Sequence, residues 1–589
     1  MIPAARPDTL VGPHSKLNHW KPIMSCITSD FIPADLDATR WENLEPLYRA
    51  LIDRKLNCKN CLAALILDRS ELDAAASEAE ANLYIETTRH TDDESVQNAF
   101  KTFLEEVEPH LKKASFELDR KIAESEHADK LDQDRYGILL RGLRTNVGLF
   151  REENIPIETE ISLLDQKYSQ INGAMTVDFD GEERTMPQMA RYLESTDRGV
   201  REAAWRGIAE RRAKDRDAIE DIFDEMIEKR QQLAKNAGFD NFRDFQHARM
   251  HRYDYTPQDC FKFHEAVERF CVPVLKATSE TRRQSLGLDS LRPWDLGVDV
   301  KGRDPLRPFE GAEQLIDRSS KVFHRMDGRL GGMFDELRTG DCLDLETRKG
   351  KAPGGYQYQR ERSRKPFIFM NAAGLQRDLT TMVHEAGHAF HSMVCRSEPI
   401  LAYRSAPMEF CEVASMAQEL LAFPYLDEFY SEEDANRARR DELEGMAKIL
   451  PWIATIDAFQ HWIYTNPGHD RAARTQFWLE LEKRFGPPVD WSGVEDMHTS
   501  TWQRQLHLFG VPFYYIEYGI AQLGALQVWC NSLEDEKSAI DKYLEGLALG
   551  GSRPLPELFA TAGASFDFGP ETVGPLMERV AHELETLPA

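Results

Sequence analysis

The chain has 589 residues and a formal net charge of −27, with 41% hydrophobic and 29% charged residues. The length predicts two domains or two large lobes, and the composition is ordinary for a soluble globular protein. A surface this acidic repels phosphates, so neither nucleic acid nor an anionic membrane is an expected partner.

The N-terminal region favours a reducing, cytoplasmic location. The first twenty residues, MIPAARPDTLVGPHSKLNHW, lack the basic stretch and apolar block of a secretory signal and are interpreted as a flexible lead-in. No apolar run in the chain reaches the roughly 18 residues of a membrane helix. Cys58 and Cys61 form the only C-x-x-C pair. Because no further zinc ligands lie nearby and the stretch is helical by pattern, both are expected to be reduced thiols.

Most of the chain is predicted to be helical, because apolar residues recur at three- and four-residue steps. Helices are expected at about residues 99–125 and at about 200–237, the second ending at Gly238. The residues around the turn pair Asp180-Gly181 alternate in polarity, which predicts a small hairpin. PFIFMN, residues 366–371, is a short apolar run beginning with proline. It predicts an edge strand that can pair with an extended peptide.

The segment TTMVHEAGHAFHSM, residues 380–393, places histidines and a glutamate on one predicted helix. His384 and His388 are one turn apart, so they project from one face at a spacing that suits a single metal ion. Glu385 is offset by about 100° around the helix, where a general base for a metal-held water would stand. Two hydrogen-bonded histidines on a partly buried helix would give the same pattern. The metal prediction therefore depends on a third ligand.

The third ligand is expected on the following helix. The layout H-E-x-x-H-x-x-G-x-x-H would require histidine where this chain has Val394. The alternative layout takes a glutamate from a second helix, and SAPMEFCEVASMAQELLAF is predicted to form one, capped by Ser405. Three acids share one face of it and would be costly to bury without cations: Glu409, Glu412 and Glu419. Spacing alone leaves Glu409 and Glu412 both open as the ligand.

A tyrosine-rich stretch, HLFGVPFYYIEYG, is the second candidate site. A helix from Pro512 would put Tyr514 and Tyr518 on one face, with Tyr515 close to it. Their hydroxyls and the imidazole of His507 are suited to donate hydrogen bonds to the oxyanion that forms when water attacks a peptide carbonyl. Aromatic core packing, with the hydroxyls at the surface, accounts for the same stretch.

The motifs HEAGHAFH, FCEVAS and HLFGVPFYYIEYG together resemble the thimet oligopeptidase and oligoendopeptidase F family of zinc peptidases, and are closer to the second branch. The resemblance runs from about residue 200 to near the C-terminus. It implies a mainly α-helical, two-lobed fold with a deep central channel and a small β-sheet beside the zinc-binding helix. The expected division is an N-terminal helical lobe of residues 1–200 and a zinc peptidase catalytic domain of residues 201–589.

The resemblance also implies roles for individual residues. His384, His388 and Glu412 are expected to hold one zinc ion, Zn2+, with Glu385 as the general base. Glu409 is expected to orient a histidine. The substrate and oxyanion contacts are expected from His507 and one or more of Tyr514, Tyr515 and Tyr518. Many relatives have the pattern F-Y-x-Y-x-Y, whereas this chain has FYYIEY, so the choice among the tyrosines stays open.

The expected function is a zinc-dependent endopeptidase that cleaves internal bonds of short, unstructured oligopeptides. One alternative is a peptide-binding protein without catalysis, which would not need Glu385. Another is an exopeptidase, which must hold a peptide terminus. For that alternative, the basic cluster QRERSRK, ending at Lys365, is the candidate carboxylate site.

Overall fold

The computed structural model of the protein describes residues 31–588, and the predicted lead-in at residues 1–20 lies outside them. Helices account for 70% of the structure and the sheets are small, which confirms the mainly α fold. Between residues 31 and 588, no helix is both long and apolar enough to span a bilayer.

Six helices form the first part of the structure. They are α1 (Trp41–Asp53), α2 (Lys59–Arg89), α3 (Glu94–Glu106), α4 (Glu108–Ala123), α5 (Gln133–Leu149) and α6 (Asn154–Gly173). The first five enclose a second core, to which Ile400 and Tyr403 also contribute. The helix predicted at 99–125 is interrupted at Val107, because Pro109 fits the first turn of a new helix and not the interior of an old one. The predicted domain boundary at residue 200 stays a prediction.

Cys58 and Cys61 are joined as a disulfide, so the prediction of two free thiols is wrong. Cys58 has extended backbone at the N-cap of α2, and Cys61 lies in the first turn with its N–H directed to the Cys58 sulfur. This change of backbone direction at the helix start brings the two sulfurs together.

A hairpin and eight helices follow. The strands β1 (Thr176–Phe179) and β2 (Glu182–Thr185) pair antiparallel, and positive φ at Asp180 and Gly181 forms the predicted turn. The helices are α7 (Met186–Ala190), α8 (Arg198–Ala213), α9 (Arg216–Asn236), α10 (Phe242–Arg249), α11 (Pro257–Ala266), α12 (Val272–Ser285), α13 (Gly311–Met326) and α14 (Gly328–Thr339). The long helix predicted to end at Gly238 is two helices, because the chain turns at residues 214–215. Gly238, with φ of 87°, ends the second.

The small sheet has three strands in the order β3-β5-β4, namely β3 (Leu343–Glu346), β5 (Lys365–Ala372) and β4 (Tyr356–Arg360). PFIFMN lies in β5, so the edge-strand prediction is wrong. It is hydrogen-bonded to β3 on one side and to β4 on the other. Pro366 is tolerated because it lies at the start of the strand. The edges are therefore β3 and β4.

The last helices carry the candidate site. They are α15 (Gln376–Cys395), α16 (Met408–Leu421), α17 (Glu432–Thr465), α18 (Arg471–Phe485), α19 (Glu495–His498), α20 (His507–Gly510), α21 (Tyr515–Leu547), α22 (Leu555–Thr561) and α23 (Pro570–Thr586). Helix α16 packs against both α15 and α21 in the main core. It begins after Pro407, so Ser405 does not cap it.

Gly387 allows α15 and α16 to approach closely. A Cβ at this position would lie 2.4 Å from the carbonyl oxygen of Ala414 and 2.7 Å from Cα of Ser415. Both are backbone atoms of α16, so no side-chain rotation relieves the contact. The histidine face of α15 is thereby held directly against the glutamate face of α16.

Candidate metal and catalytic centre

Two histidines of α15 and one glutamate of α16 come together. Glu412 Oε2 lies 3.5 Å from His384 Nε2 and 3.7 Å from His388 Nε2. One ligand atom from each of the three residues lies within 4.8 Å of the others. Two imidazoles and one carboxylate at this spacing suit a zinc ion that keeps an open fourth position. Packing across two helices thus places Glu412, and not Glu409, beside the histidines.

A different glutamate orients the first histidine. Glu419 Oε1 lies 2.6 Å from His384 Nδ1, which leaves Nε2 facing Glu412. Glu409 instead accepts a hydrogen bond from the hydroxyl of Tyr255 at 2.8 Å. The expectation that Glu409 orients a histidine is therefore wrong, because the twist of α16 carries it past the histidine pair. Carboxylates in the position of Glu419 fix the tautomer and raise the basicity of a ligating histidine.

Glu385 is buried beside the metal group and faces the sheet. Burial raises the pKa of its carboxyl, while His384 and the backbone N–H of Gln357 act in the opposite direction. Gln357 lies on β4 opposite Ile368, whose own N–H bonds to the carbonyl of Cys342 on the β3 side. The backbone N–H and carbonyl of Gln357 therefore point away from β5, and the unpaired edge of β4 lies beside Glu385.

The tyrosine stretch begins with a strained turn that buried polar groups hold in place. Phe513 has φ of 69°, in the left-handed region that residues with a Cβ rarely adopt. Its N–H donates to Gln460 Oε1 at 2.6 Å, and its carbonyl accepts from the guanidinium of Arg252. Arg252 also pairs with Glu517 at 2.9 Å. These bonds fix the direction in which Tyr514 leaves the turn. No pattern in the sequence indicated Arg252.

His507 has a defined tautomer. The indole N–H of Trp452 can only donate, and it donates to Gln505 Oε1 at 3.1 Å. The amide nitrogen of Gln505 therefore faces His507 Nδ1, at 2.7 Å, and donates to it. The ring proton of His507 is thus on Nε2. Burial lowers the pKa of this imidazole, which favours the neutral form.

The three tyrosines surround His507 but face different neighbours. The ring centroids of Tyr515, Tyr518 and Tyr514 lie 4.8, 6.1 and 6.3 Å from that of His507. Burial raises the pKa of Tyr514 and Tyr518, and the charge of Glu412 acts in the same direction on both. Their rings pack edge to face, with centroids 5.2 Å apart. Tyr515 instead lies near Gln505 and Trp452. Tyr514 and Tyr518 are therefore on the Glu412 side of the cluster.

A second group of potential ligands is a buried polar network. His247, Cys260 and His461 offer ligand atoms within 4.8 Å of one another. However, Arg252 Nη1 lies 3.3 Å from His247 Nε2, and Asp457 Oδ2 lies 3.2 Å from His461 Nε2. The positive charge of the Arg252 guanidinium beside His247 repels a metal cation and therefore disfavours one there.

The basic cluster QRERSRK is engaged in structural contacts. Arg362 donates to the backbone carbonyls of Pro33, Ala34 and Leu36. Arg364 pairs with Glu71 at 2.8 Å and donates to a backbone carbonyl at the end of α15. Two of the cluster's arginines thus join the turn between β4 and β5 to α2 and to the segment before α1. These contacts leave them unsuited to hold a peptide carboxylate.

Comparisons with known proteins agree with this geometry. The model described as "Peptidase family M3" matches residues 191–569, and that of the "Peptidase M3 N-terminal domain" matches residues 31–150. An oligoendopeptidase F homolog of Borreliella burgdorferi is 26% identical over 49% of this chain and 50% of its own length. Oligopeptidase PepF of Bacillus subtilis is 25% identical over 50% of this chain and 43% of its own. The chain thus spans about half the length of these curated relatives. The solved structure of PZ peptidase A with inhibitor 2 superimposes with a TM-score of 0.84 at 28% identity, covering 93% of this chain and 97% of that one.

Proposed function

The chain belongs to peptidase family M3, and from this premise we propose that it is a zinc-dependent endopeptidase. Its substrates are short, unstructured oligopeptides, which it cleaves at internal bonds. The observation that carries the proposal is the convergence of His384, His388 and Glu412, with the buried carboxylate of Glu385 on the same helix as the two histidines.

His384, His388 and Glu412 are proposed to hold the zinc ion. Two neutral imidazoles and a carboxylate are the donor set of many catalytic zinc sites, and Glu419 supplies the supporting contact to His384. When bound, zinc polarises the scissile carbonyl and acidifies a water molecule. The hydroxyl of Ser415, 2.9 Å from Glu412 Oε2, keeps that carboxylate turned towards the histidines.

Glu385 is the proposed general base. Its carboxylate accepts the proton of the attacking water and later transfers it to the leaving amine. Burial favours the neutral form of a carboxyl, so Glu385 is a stronger base than an exposed glutamate. The N–H of Gln357 faces this carboxylate from the edge of β4 and is proposed to keep it oriented.

Tyr514, Tyr518 and His507 are the proposed donors to the oxyanion. His507 carries its proton on Nε2, the nitrogen that Gln505 leaves free. The Tyr514 and Tyr518 hydroxyls lie on the Glu412 side, whereas Tyr515 is proposed to support His507 and not to touch substrate. The unpaired edge of β4 is proposed to bind the peptide backbone in extended form, which makes recognition depend weakly on side chains.

The test is cleavage of an internally quenched peptide of about nine residues, a length suited to a cleft that excludes folded chains, blocked at both ends. Wild type should cleave it, a chelator should stop cleavage, and added zinc should restore it. Glu385→Gln should bind one zinc per chain and lose at least about a hundredfold in kcat, the lower range for a general base. Glu106→Gln, at an exposed position of α3, is the matched control and should behave as wild type. An active Glu385→Gln enzyme would refute the assignment.

A further inference from the structure

One loop joins two of the proposed oxyanion donors, His507 and Tyr514. It begins at His507, the first residue of α20, and ends at Phe513, which Tyr514 follows directly. Its outer side is open to solvent, because Leu506 is 58% exposed and Val511 is 44% exposed. Contacts on that side therefore do not fix the conformation of the loop, and its anchors lie on its buried side.

Arg230 of α9 anchors the first end of the loop. Its side chain is buried, and its guanidinium donates to the carbonyl of Leu508 at 2.9 Å and to the carbonyl of Phe509. It also donates to the hydroxyl of Tyr464 at 2.7 Å. Both carbonyls lie in the short helix α20, whose end leaves carbonyl groups without a helical donor. One planar group thus fixes the two residues directly after His507.

Arg252, which follows α10, anchors the other end of the loop. Its side chain is fully buried and donates both to the carbonyl of Phe513 and to Glu517 Oε1, the latter at 2.9 Å. That carbonyl belongs to the peptide unit that joins Phe513 to Tyr514. Glu517 lies in the first turn of α21, directly before Tyr518. The guanidinium thus ties the strained turn to the start of the helix that carries the second tyrosine.

The two arginines that anchor the loop have a structural counterpart elsewhere in the chain. Arg201 is 3% exposed, donates to the backbone carbonyls of Trp294 and Ser195, and pairs with Asp295 at 3.1 Å. Those carbonyls adjoin no proposed catalytic residue, so Arg201 supports the fold alone. Replacing a buried ion pair by well-packed apolar side chains is often neutral or stabilising. Burial of a guanidinium is therefore weak evidence for a role in stability, and what distinguishes the two loop arginines is the residues beside the carbonyls they hold.

We propose that Arg230 and Arg252 are positioning residues, which place His507 and Tyr514 where they donate to the oxyanion. This role rests on the proposed peptidase function and deepens it. Both arginines are too deeply buried to touch substrate, so each acts through the backbone of the loop. Donors that are fixed before the reaction stabilise the developing charge without having to reorganise. A loosened loop should therefore slow the chemical step and leave substrate binding nearly unchanged.

The experiment measures kcat and KM for the doubly blocked quenched peptide in Arg230→Lys, Arg252→Lys and Arg201→Lys. Lysine keeps the buried charge but cannot span two acceptors in one plane. The first two variants should lower kcat by at least about tenfold and at most the roughly 100–1,000-fold that follows loss of one oxyanion donor, with KM near that of wild type. Arg201→Lys is the matched control. It should lose stability in urea unfolding as the other two do, and keep the wild-type kcat.

A third variant tests the Phe513 end of the loop without altering a buried charge. Gln460→Met removes the side-chain oxygen that accepts the N–H of Phe513 at 2.6 Å. It should lower kcat in the same way as Arg252→Lys, and it tests that end of the loop even if Arg252→Lys does not fold. A wild-type kcat in folded Gln460→Met would contradict the positioning role at that end.

Binding measurements separate this role from the peptidase function itself. A phosphinic peptide, whose anionic tetrahedral group imitates the oxyanion, and the quenched substrate peptide are titrated into zinc-loaded protein in the Glu385→Gln background. Arg230→Lys and Arg252→Lys should weaken the phosphinic peptide by at least about tenfold and leave the substrate peptide unchanged. Equal losses for both ligands, a change in KM alone, or an equal kcat loss in Arg201→Lys would overturn the positioning role and leave the peptidase function intact. If wild type cuts no peptide, the peptidase function fails, and the ratio of the two affinities decides the positioning role by itself.

Discussion

The contact between α15 and α16 at Gly387 allows a quantitative test of the proposed metal centre. In Gly387→Ala, the new methyl carbon would lie 2.4 Å from a backbone oxygen of α16, where ordinary contact begins at 3.4 Å. The helices must therefore separate by about 1 Å, whereas metal–ligand distances are held within about 0.2 Å. Overpacking of this kind costs about 1–3 kcal/mol, and since both clashes are with backbone, a loss of about 3 kcal/mol is expected.

Two measurements on Gly387→Ala test this reasoning. Urea unfolding of the metal-free protein gives the packing cost without the contribution of bound zinc. Competition with a chromophoric chelator gives the zinc affinity, which should fall by at least the roughly 10–100-fold seen when supporting contacts of a metal site are lost. Gly445→Ala, on the exposed face of α17 with no atom within 4 Å of the new methyl, should stabilise by about 0.5–1 kcal/mol. Wild-type stability and zinc affinity in Gly387→Ala would refute the packing argument.

Two further predictions follow from buried carboxylates. Glu419→Gln should weaken zinc binding by about 10–100-fold, because His384 loses the carboxylate that orients it. Glu409→Gln, on the same helix, should change zinc affinity little. If chelator competition showed the same loss of zinc affinity in both variants, the separate roles of Glu419 and Glu409 would be contradicted. Burial alone would raise the pKa of Asp344, but hydrogen bonds from Arg348, Lys351 and Arg89 hold it well below its usual range. Asp344→Asn removes the counter-charge of the fully buried Lys351 ammonium, which then keeps only backbone carbonyls as acceptors, and should cost about 3–5 kcal/mol at pH 7. Because the pKa of Asp344 is lower in the folded state than in the unfolded state, the stability that its ionised form contributes is complete above the unfolded pKa of about 3.9. This stability is lost progressively as the pH falls below that value. Urea unfolding gives the difference in free energy of unfolding between wild type and Asp344→Asn. This difference should be the same at pH 7 and pH 5 and smaller at pH 3. An undiminished difference at pH 3 would refute the electrostatic account.

The local features of this protein followed from its sequence. The spacing of His384, Glu385 and His388 is a property of one helix, and four-residue spacing puts two side chains on one face in any fold. The mainly helical class followed from apolar periodicity, and the hairpin from the turn pair Asp180-Gly181. Each depends on interactions within a few residues, so no tertiary contact was needed to predict it.

The tertiary structure decided which distant groups meet. Spacing left Glu409 and Glu412 both open as the ligand, yet the crossing of α15 over α16 brings Glu412 to the histidines and leaves Glu409 bonded to Tyr255. The same crossing brings Glu419 to His384. Strand β5 is central because β3 and β4, which come earlier in the chain, pair on its two sides. The tautomer of His507 depends on Trp452, more than fifty residues away. Arg141 and Tyr514 line one cleft only because α5 packs near helices that come much later in the chain. Such contacts join residues far apart in the chain. Residue spacing and apolar periodicity describe only neighbouring residues, so they do not predict these contacts.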